Sequence, residues 1–157
     1  QVLERDVYCE AICDGRHLHP GSVRMLLACK GYDRVVAITD SIQAAGLPDG
    51  HYKLGVNDVV VVDGDAKLAD TGVRAGSTLT MDQALKNLVR FTGQPVERIL
   101  PLLTLQPAKV IGMDHAKGSI APGKDGDLVV LNDALDVMET YIAGVRVYAG
   151  KEKQEEN

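Results

Sequence analysis

Val35-Val36-Ala37-Ile38-Thr39-Asp40 is a run of apolar and β-branched residues closed by an acid. Bounded by polar residues on both sides, it reads as a buried strand. Upstream, Asp6 to Cys13 is a second, mostly apolar run that ends at Asp14-Gly15, a strand passing into a loop. Between them, after Pro20-Gly21, the stretch Ser22 to Lys30 places Val23, Leu26 and Leu27 on one helical stripe. Ser22 is its expected cap and Gly31 its stop. A strand, a loop, a helix and a strand in that order require a crossover, so the two strands run parallel. The fold class that follows is α/β.

Composition narrows the choice further. Of 157 residues 45% are hydrophobic, but there is no Trp and a single Phe, so the core must come from Val, Leu, Ile and Ala. A net charge of −5 supplies no basic surplus to displace counterions, which argues against a nucleic-acid partner. No uncharged apolar run approaches the ~18 residues that a membrane helix needs. No basic stretch followed by an apolar one opens the chain, so a cytoplasmic protein is expected. Gln1-Val2-Leu3-Glu4 reads as the interior of something longer. Cys9, Cys13 and Cys29 are an odd count without CxxC spacing and read as reduced thiols serving as small apolar residues.

Beyond Asp40 the pattern changes. His51 to Val56 and Val59 to Leu68, with Asp63-Gly64 as a hairpin turn, form a β-ribbon inserted after the second parallel strand. Thr80 is then the candidate cap of a helix from about Met81 to Phe91 that Gly93 stops, with Leu85, Leu88 and Val89 along one side. Pro95 to Ile111 continues as helix, interrupted before Pro107. From Lys117 a turn-rich segment leads to strands within Asp127 to Asn132 and Met138 to Tyr148, and the charged tail 151–157 reads as disordered.

Two loops stand at the C-terminal ends of the parallel strands, the edge where α/β folds place their sites. They are Cys13-Asp14-Gly15-Arg16-His17-Leu18-His19-Pro20 and Thr39-Asp40-Ser41. His17 and Asp40 would face one cavity from neighbouring strands, a pairing suited to proton transfer and polar ligand contacts. An acid at a strand end also serves as a plain loop cap, and a His after Asp-Gly also occurs as a solvated loop residue. His17-x-His19 is too small a set to close a metal site, with no further His or Cys at supporting spacing, so no metal ligand is assigned. Arg74-Ala75-Gly76-Ser77-Thr78-Leu79-Thr80 is a small-residue loop into a helix, open to ligand binding through its backbone and equally to a simple turn and cap.

The order of these motifs is more telling than any one of them. Cys-Asp-Gly-Arg-His-Leu-His-Pro, Ile-Thr-Asp-Ser-Ile-Gln-Ala-Ala-Gly-Leu-Pro-Asp-Gly, Ala-Gly-Ser-Thr-Leu-Thr-Met, Pro-Ala-Lys-Val-Ile-Gly and Lys-Gly-Ser-Ile-Ala-Pro-Gly-Lys-Asp-Gly-Asp-Leu-Val-Val-Leu follow one another between Asp6 and Gly150. In that succession the chain resembles the N-acetylglucosamine-6-phosphate deacetylases of the amidohydrolase superfamily. The last motif is shared across many amidohydrolases; the second and third are far more specific.

The resemblance implies the C-terminal part of a (β/α)8 barrel, about its last two βα units with the ribbon inserted, over residues 1–116. Residues 117–150 would then supply strands of a small β-sandwich. It implies hydrolysis of the acetamide of an amino-sugar phosphate, with a divalent metal, zinc or similar, polarising the carbonyl and activating water. By the same resemblance Asp40 takes the proton from that water and returns it to the leaving amine. His17 contacts the substrate, and the backbone of Arg74, Ala75 and Gly76 lines the sugar site. Arg74 stands where that family commonly has Leu. The family's principal metal ligands, a Glu and two His from earlier strands, have no counterpart in this sequence. A barrel of this kind needs roughly 250 residues, so the expectation is a segment inactive in isolation, a homo-oligomer or a partner of a missing N-terminal half. A sister amidohydrolase acting on another N-acyl or cyclic amide, or a truncated assembly module, are the alternatives.

Overall fold

β1 (Cys9–Ile12) and β2 (Val35–Ile38) pair in parallel, with Cys9 opposite Val35 and Ile12 opposite Ile38. The computed structural model describes Glu4 and residues 6–150; the expected disordered tail 151–157 lies outside the described residues. α1 (Pro20–Lys30) makes the crossover. It begins three residues earlier than the Ser22 cap implies, because His19 caps it: the His19 Nδ1 accepts the Gly21 N–H at 3.1 Å. Pro20, whose ring presets a helical φ and whose missing N–H costs nothing there, takes the first position. Gly31 ends the helix as expected, its N–H donating to the Leu27 carbonyl.

α2 (Met81–Thr92) starts after Thr80, which holds the extended cap conformation without a capping bond from its hydroxyl, and ends at a left-handed Gly93. Its buried face carries Ala84, Leu85, Leu88 and Phe91. α3 (Val96–Ile99), a 3-10 turn at Leu100–Leu102 and α4 (Leu105–Val110) follow. The interruption falls at Leu103-Thr104, which leaves Pro107 in the first turn of α4 where its lack of an N–H is harmless. Val23 and Leu27 of α1, Leu85, Leu88 and Phe91 of α2, and Ile99 and Leu102 close over Ala11, Val35 and Ala37 as one core. Arg24 fastens α1 to the end of α2, its Nη1 donating to the Phe91 carbonyl at 2.9 Å. Cys13 is buried in this core, and burial, helped by the neighbouring charge of Asp14, pushes its thiol up to about 12, an inert apolar filler.

β3 (Gly50–Leu54), β4 (Asn57–Val62) and β5 (Asp65–Leu68) form an antiparallel meander, with Asp63-Gly64 turning β4 into β5. The ribbon has a core of its own, in which Val59, Val61 and Ala66 meet Ile42, Ala44 and Ala75. A third sheet is antiparallel in the order β6 (Leu128–Leu131), β7 (Val137–Ile142), β8 (Val145–Ala149), the span Met138 to Tyr148 being a hairpin. Gly118 lets the preceding segment lie on α4, since a Cβ there would sit 2.9 Å from the Leu105 Cα and from the Thr104 carbonyl oxygen, at a φ of +84°. Val129, Val130, Val145 and Val147 of this sheet remain exposed.

Replacing Leu88 by Ala removes a fully buried anchor between α2 and the parallel pair and should cost about 3 kcal/mol. Val56→Ser, at an exposed turn, should stay within about 0.5 kcal/mol. Urea denaturation of the two variants beside the parent measures both.

Candidate functional site

Asp40 closes β2 at its C-terminal edge with a φ of +50°, a conformation that residues other than glycine rarely adopt. The backbone holds it there. The ribbon returns alongside it, and Ser77 donates its N–H to the Asp40 carbonyl at 2.8 Å while accepting the Ile42 N–H at 2.9 Å. The Ser77 hydroxyl donates to the Thr39 carbonyl and the Ser41 hydroxyl to the Leu79 carbonyl, so the seam is tied from both sides. Gly76 is required for this approach. At its φ of +62°, a Cβ would stand 2.6 Å from the Ile42 Cγ2 and 3.0 Å from the Asp40 carbonyl oxygen. The Asp40 side chain is exposed, and among the described residues no hydrogen bond or ion pair engages its carboxylate.

The loop after β1 is organised by a residue that the sequence reading passed over. Asp14 accepts the N–H groups of Arg16 and His17 on Oδ1, both at 2.8 Å, and lies 2.7 Å from the His17 Nδ1 through Oδ2. Burial works against the Asp14 carboxylate, but the His17 N–H, the His17 ring and the Arg16 N–H outweigh it and hold the acid below the usual carboxylate range. From beneath, Asn87 of α2 donates to the Cys13 carbonyl at 2.9 Å. Arg16 reaches across to the ribbon, its Nη2 donating to the Asp63 carbonyl at 2.5 Å.

Arg74 is half-buried, and its guanidinium forks onto Asp65, Nε at 2.8 Å and Nη2 at 3.0 Å, with Nη1 donating to the Arg16 carbonyl at 3.3 Å. Its side chain is therefore spent on the scaffold. The bidentate bond from Arg74, aided by Lys67, holds the Asp65 carboxyl far below its ordinary range against a desolvation penalty. Ala75 is buried, and its N–H donates to the Ala66 carbonyl at 3.0 Å. The five residues singled out thus fall into two neighbouring groups. Asp40 and Gly76 meet along the Ser77 seam, with Ala75 in the ribbon core beside Ile42, and His17 and Arg74 are linked through the Arg16 backbone. A polar cleft of about 310 Å³, lined by Asp14, Arg16, Gly64, Thr78, Gln83 and Asn87, lies beside them.

A signal for Asp14 was present: an Asp-Gly three residues before a His is an Asx-turn pattern. Asp65 and Ser77 had none, because their partners stand 9 and 38 residues away. The Nδ1 atoms of His17 and His19 are engaged separately, one by Asp14 and the other by the Gly21 N–H. Among the described residues no three His, Cys, Asp or Glu side chains gather into a metal-binding group.

The model of the amidohydrolase family matches residues 1–147. The chain belongs to the amidohydrolase family. A putative N-acetylgalactosamine-6-phosphate deacetylase of Escherichia coli K12 is 38% identical over 143 residues, which are 91% of this amidohydrolase chain and 84% of that relative. N-acetylglucosamine-6-phosphate deacetylase of Danio rerio is also 38% identical, over 92% of this chain but only 35% of its own length. Among solved structures, N-acetylglucosamine-6-phosphate deacetylase from Thermotoga maritima matches with a TM-score of 0.89 at 40% identity, covering 95% of this chain and 40% of that one. This amidohydrolase chain therefore spans most of one relative and little more than a third of the other.

Two outcomes follow from the geometry. Gly76→Ala should cost about 2 kcal/mol or more, because the new methyl meets Ile42 and the Asp40 carbonyl at a positive φ; thermal unfolding reads this directly. Asp14 and Asp65 both titrate lower in the folded chain than when unfolded. Their stabilisation is thus complete above about pH 4 and is lost as pH falls through their lowered values. The melting temperature should drop between about pH 4 and pH 2, and Asp65→Asn should flatten that drop.

Proposed function

We propose that this chain is the C-terminal segment of a metal-dependent deacetylase that hydrolyses N-acetylglucosamine 6-phosphate to glucosamine 6-phosphate and acetate. The observation that carries the reading is Asp40, a carboxylate held in a rare backbone conformation at the C-terminal edge of the parallel pair and engaged by none of the described residues. Strained residues persist where surrounding structure over-determines them, and they cluster at working sites. The names of the relatives supply the reaction class. In this reading β1 and β2 are the last two strands of a (β/α)8 barrel over residues 1–116, and the sheet within 117–150 is part of a small β-sandwich. The exposed valines of that sheet support the idea that other strands cover it.

The chemistry asks little of each residue. Asp40 accepts a proton as water adds to the acetamide carbonyl, and gives that proton to the nitrogen as the carbon–nitrogen bond breaks. The products are acetate and a free amine. His17 meets the sugar phosphate, and the backbone of Arg74, Ala75 and Gly76 borders the sugar, the Arg74 guanidinium being fastened to Asp65. The resemblance assigns the principal ligands of the family's divalent metal, a Glu and two His, to sequence outside this chain. Cytoplasmic location and assembly as a homo-oligomer, or with an N-terminal half, belong to the same proposal. A stable lone monomer in native mass spectrometry would speak against the assembly.

A second reading, a truncated assembly module without turnover, is favoured by one observation. The Escherichia coli K12 relative is itself covered to 84%, so a chain of comparable length exists there. A sister specificity is the other alternative, since that relative is named for the galacto sugar.

Deacetylase assays and metal analysis on this chain, and on a longer polypeptide that carries it, separate the readings. Turnover and metal are expected only in the longer form, and there Asp40→Asn should lower kcat by about a hundredfold or more with KM little changed. Turnover by the 157-residue chain alone would overturn the idea of an incomplete site. Failure of the longer form on both N-acetylglucosamine and N-acetylgalactosamine 6-phosphates would overturn the substrate class.

A further inference from the structure

The loop after β1 holds two histidines, two residues apart, whose rings are engaged in opposite senses. His19 Nδ1 accepts a backbone N–H, that of Gly21, so a neutral His19 carries its proton on Nε2. His17 Nδ1 lies 2.7 Å from the Asp14 Oδ2, and a carboxylate only accepts, so the proton of a neutral His17 is on Nδ1. We infer that Asp14 is a positioning residue for His17: it fixes the ring and its tautomer, leaving Nε2 as the one imidazole nitrogen that meets a ligand.

Several independent contacts make the arrangement rigid rather than incidental. The Asp14 side chain is one-tenth exposed and that of His17 under a quarter, at 10% and 23%. The other Asp14 oxygen is occupied by two backbone N–H groups, so the carboxylate cannot rotate away without abandoning them. The ends of the loop are pinned by Asn87 on the Cys13 carbonyl and by Arg74 on the Arg16 carbonyl. A neutral His17 so held offers Nε2 as an acceptor, to a sugar hydroxyl; a protonated one offers Nε2–H as a donor, to an anionic oxygen. Either way the ring cannot turn to present Nδ1. The assignment of His17 to the substrate rests on the proposed deacetylase function; the tautomer does not.

Long-range 1H–15N correlation spectra of the imidazoles in the 157-residue chain test the tautomer without any assay of turnover. Above the titration range of histidine, His17 should appear as the Nδ1–H form and His19 as the Nε2–H form. In Asp14→Ala, His17 should move to the Nε2–H form that free imidazole side chains prefer. A parent His17 already in the Nε2–H form would overturn the inference. In the form of the protein that turns over, Asp14→Asn should raise KM about tenfold with a smaller change in kcat, and should add nothing in a His17→Gln background. An equal loss in both backgrounds would mean that Asp14 merely holds the loop, and would overturn the positioning role. If the spectra hold while neither amino-sugar phosphate is a substrate, the functional reading fails and the Asp14–His17 pair stands.

Discussion

The ribbon must return to the end of β2 in register, and the pair of backbone bonds between Ser77 and the Asp40–Ile42 segment is where it does so. Much else is conditioned by that seam. The returning strand can come this close only because Gly76 has no side chain to strike Ile42. Asp40 takes its left-handed φ in the same seam, its carbonyl given to Ser77 and the Ile42 amide turned toward the ribbon. Ile42 and Ala75, one on each side of the seam, belong to the ribbon's own core, so packing there stiffens the backbone at the strand end. A few tenths of an ångström at Ser77 would be felt at Asp40, because interiors packed to crystal-like density transmit displacement rather than absorb it.

The acids near this edge divide by what occupies them. Asp49, in the Leu47-Pro48-Asp49-Gly50 stretch, accepts the N–H groups of Asp63 and Gly64 and so fastens the β4–β5 turn. Thr78 donates to the Gly64 carbonyl at 2.7 Å and Arg16 to that of Asp63, so the turn is held from the loop, the ribbon and the α2 approach together. Asp65 anchors Arg74, and Asp14 organises the His17 loop. Each is consumed in building. A motif that looks specific for a substrate can thus be specific for the shape around it: Leu-Pro-Asp-Gly works here as a staple for the ribbon.

The parallel pair, the crossover helix and the ribbon were legible because their signals are local: a β-branched run, an apolar stripe at helical spacing, an Asp-Gly turn. The start of α1 was misplaced because an imidazole did the capping work that a serine hydroxyl usually does, ahead of a proline that hides the boundary. At the site, strand-end position alone pointed to Asp40 and His17. What composition could not reveal were the long-range bonds that decide which groups remain free. Arg74 was read for its backbone alone, and its side chain is tied to Asp65; Asp14 was read as part of a turn and is the ring's anchor.

The third sheet bears on how far such a site can be independent. It joins the helical core where Leu131 and Leu135 pack against that core and Lys86 of α2 pairs with Asp136 at 2.5 Å. The rest of it presents Val129 and Val130 in succession, and neighbours in a strand point to opposite faces, so both faces carry exposed apolar side chains. A sheet with two apolar faces gains little by staying open to water, and its natural resolution is to be covered. The Asp40 seam and the His17 loop draw on neither face. They rest on the ribbon core and the helical core, two clusters of buried side chains supplied by the described residues themselves. Covering the third sheet would therefore change how the chain associates, while the two halves of the candidate site keep the geometry that their own cores impose.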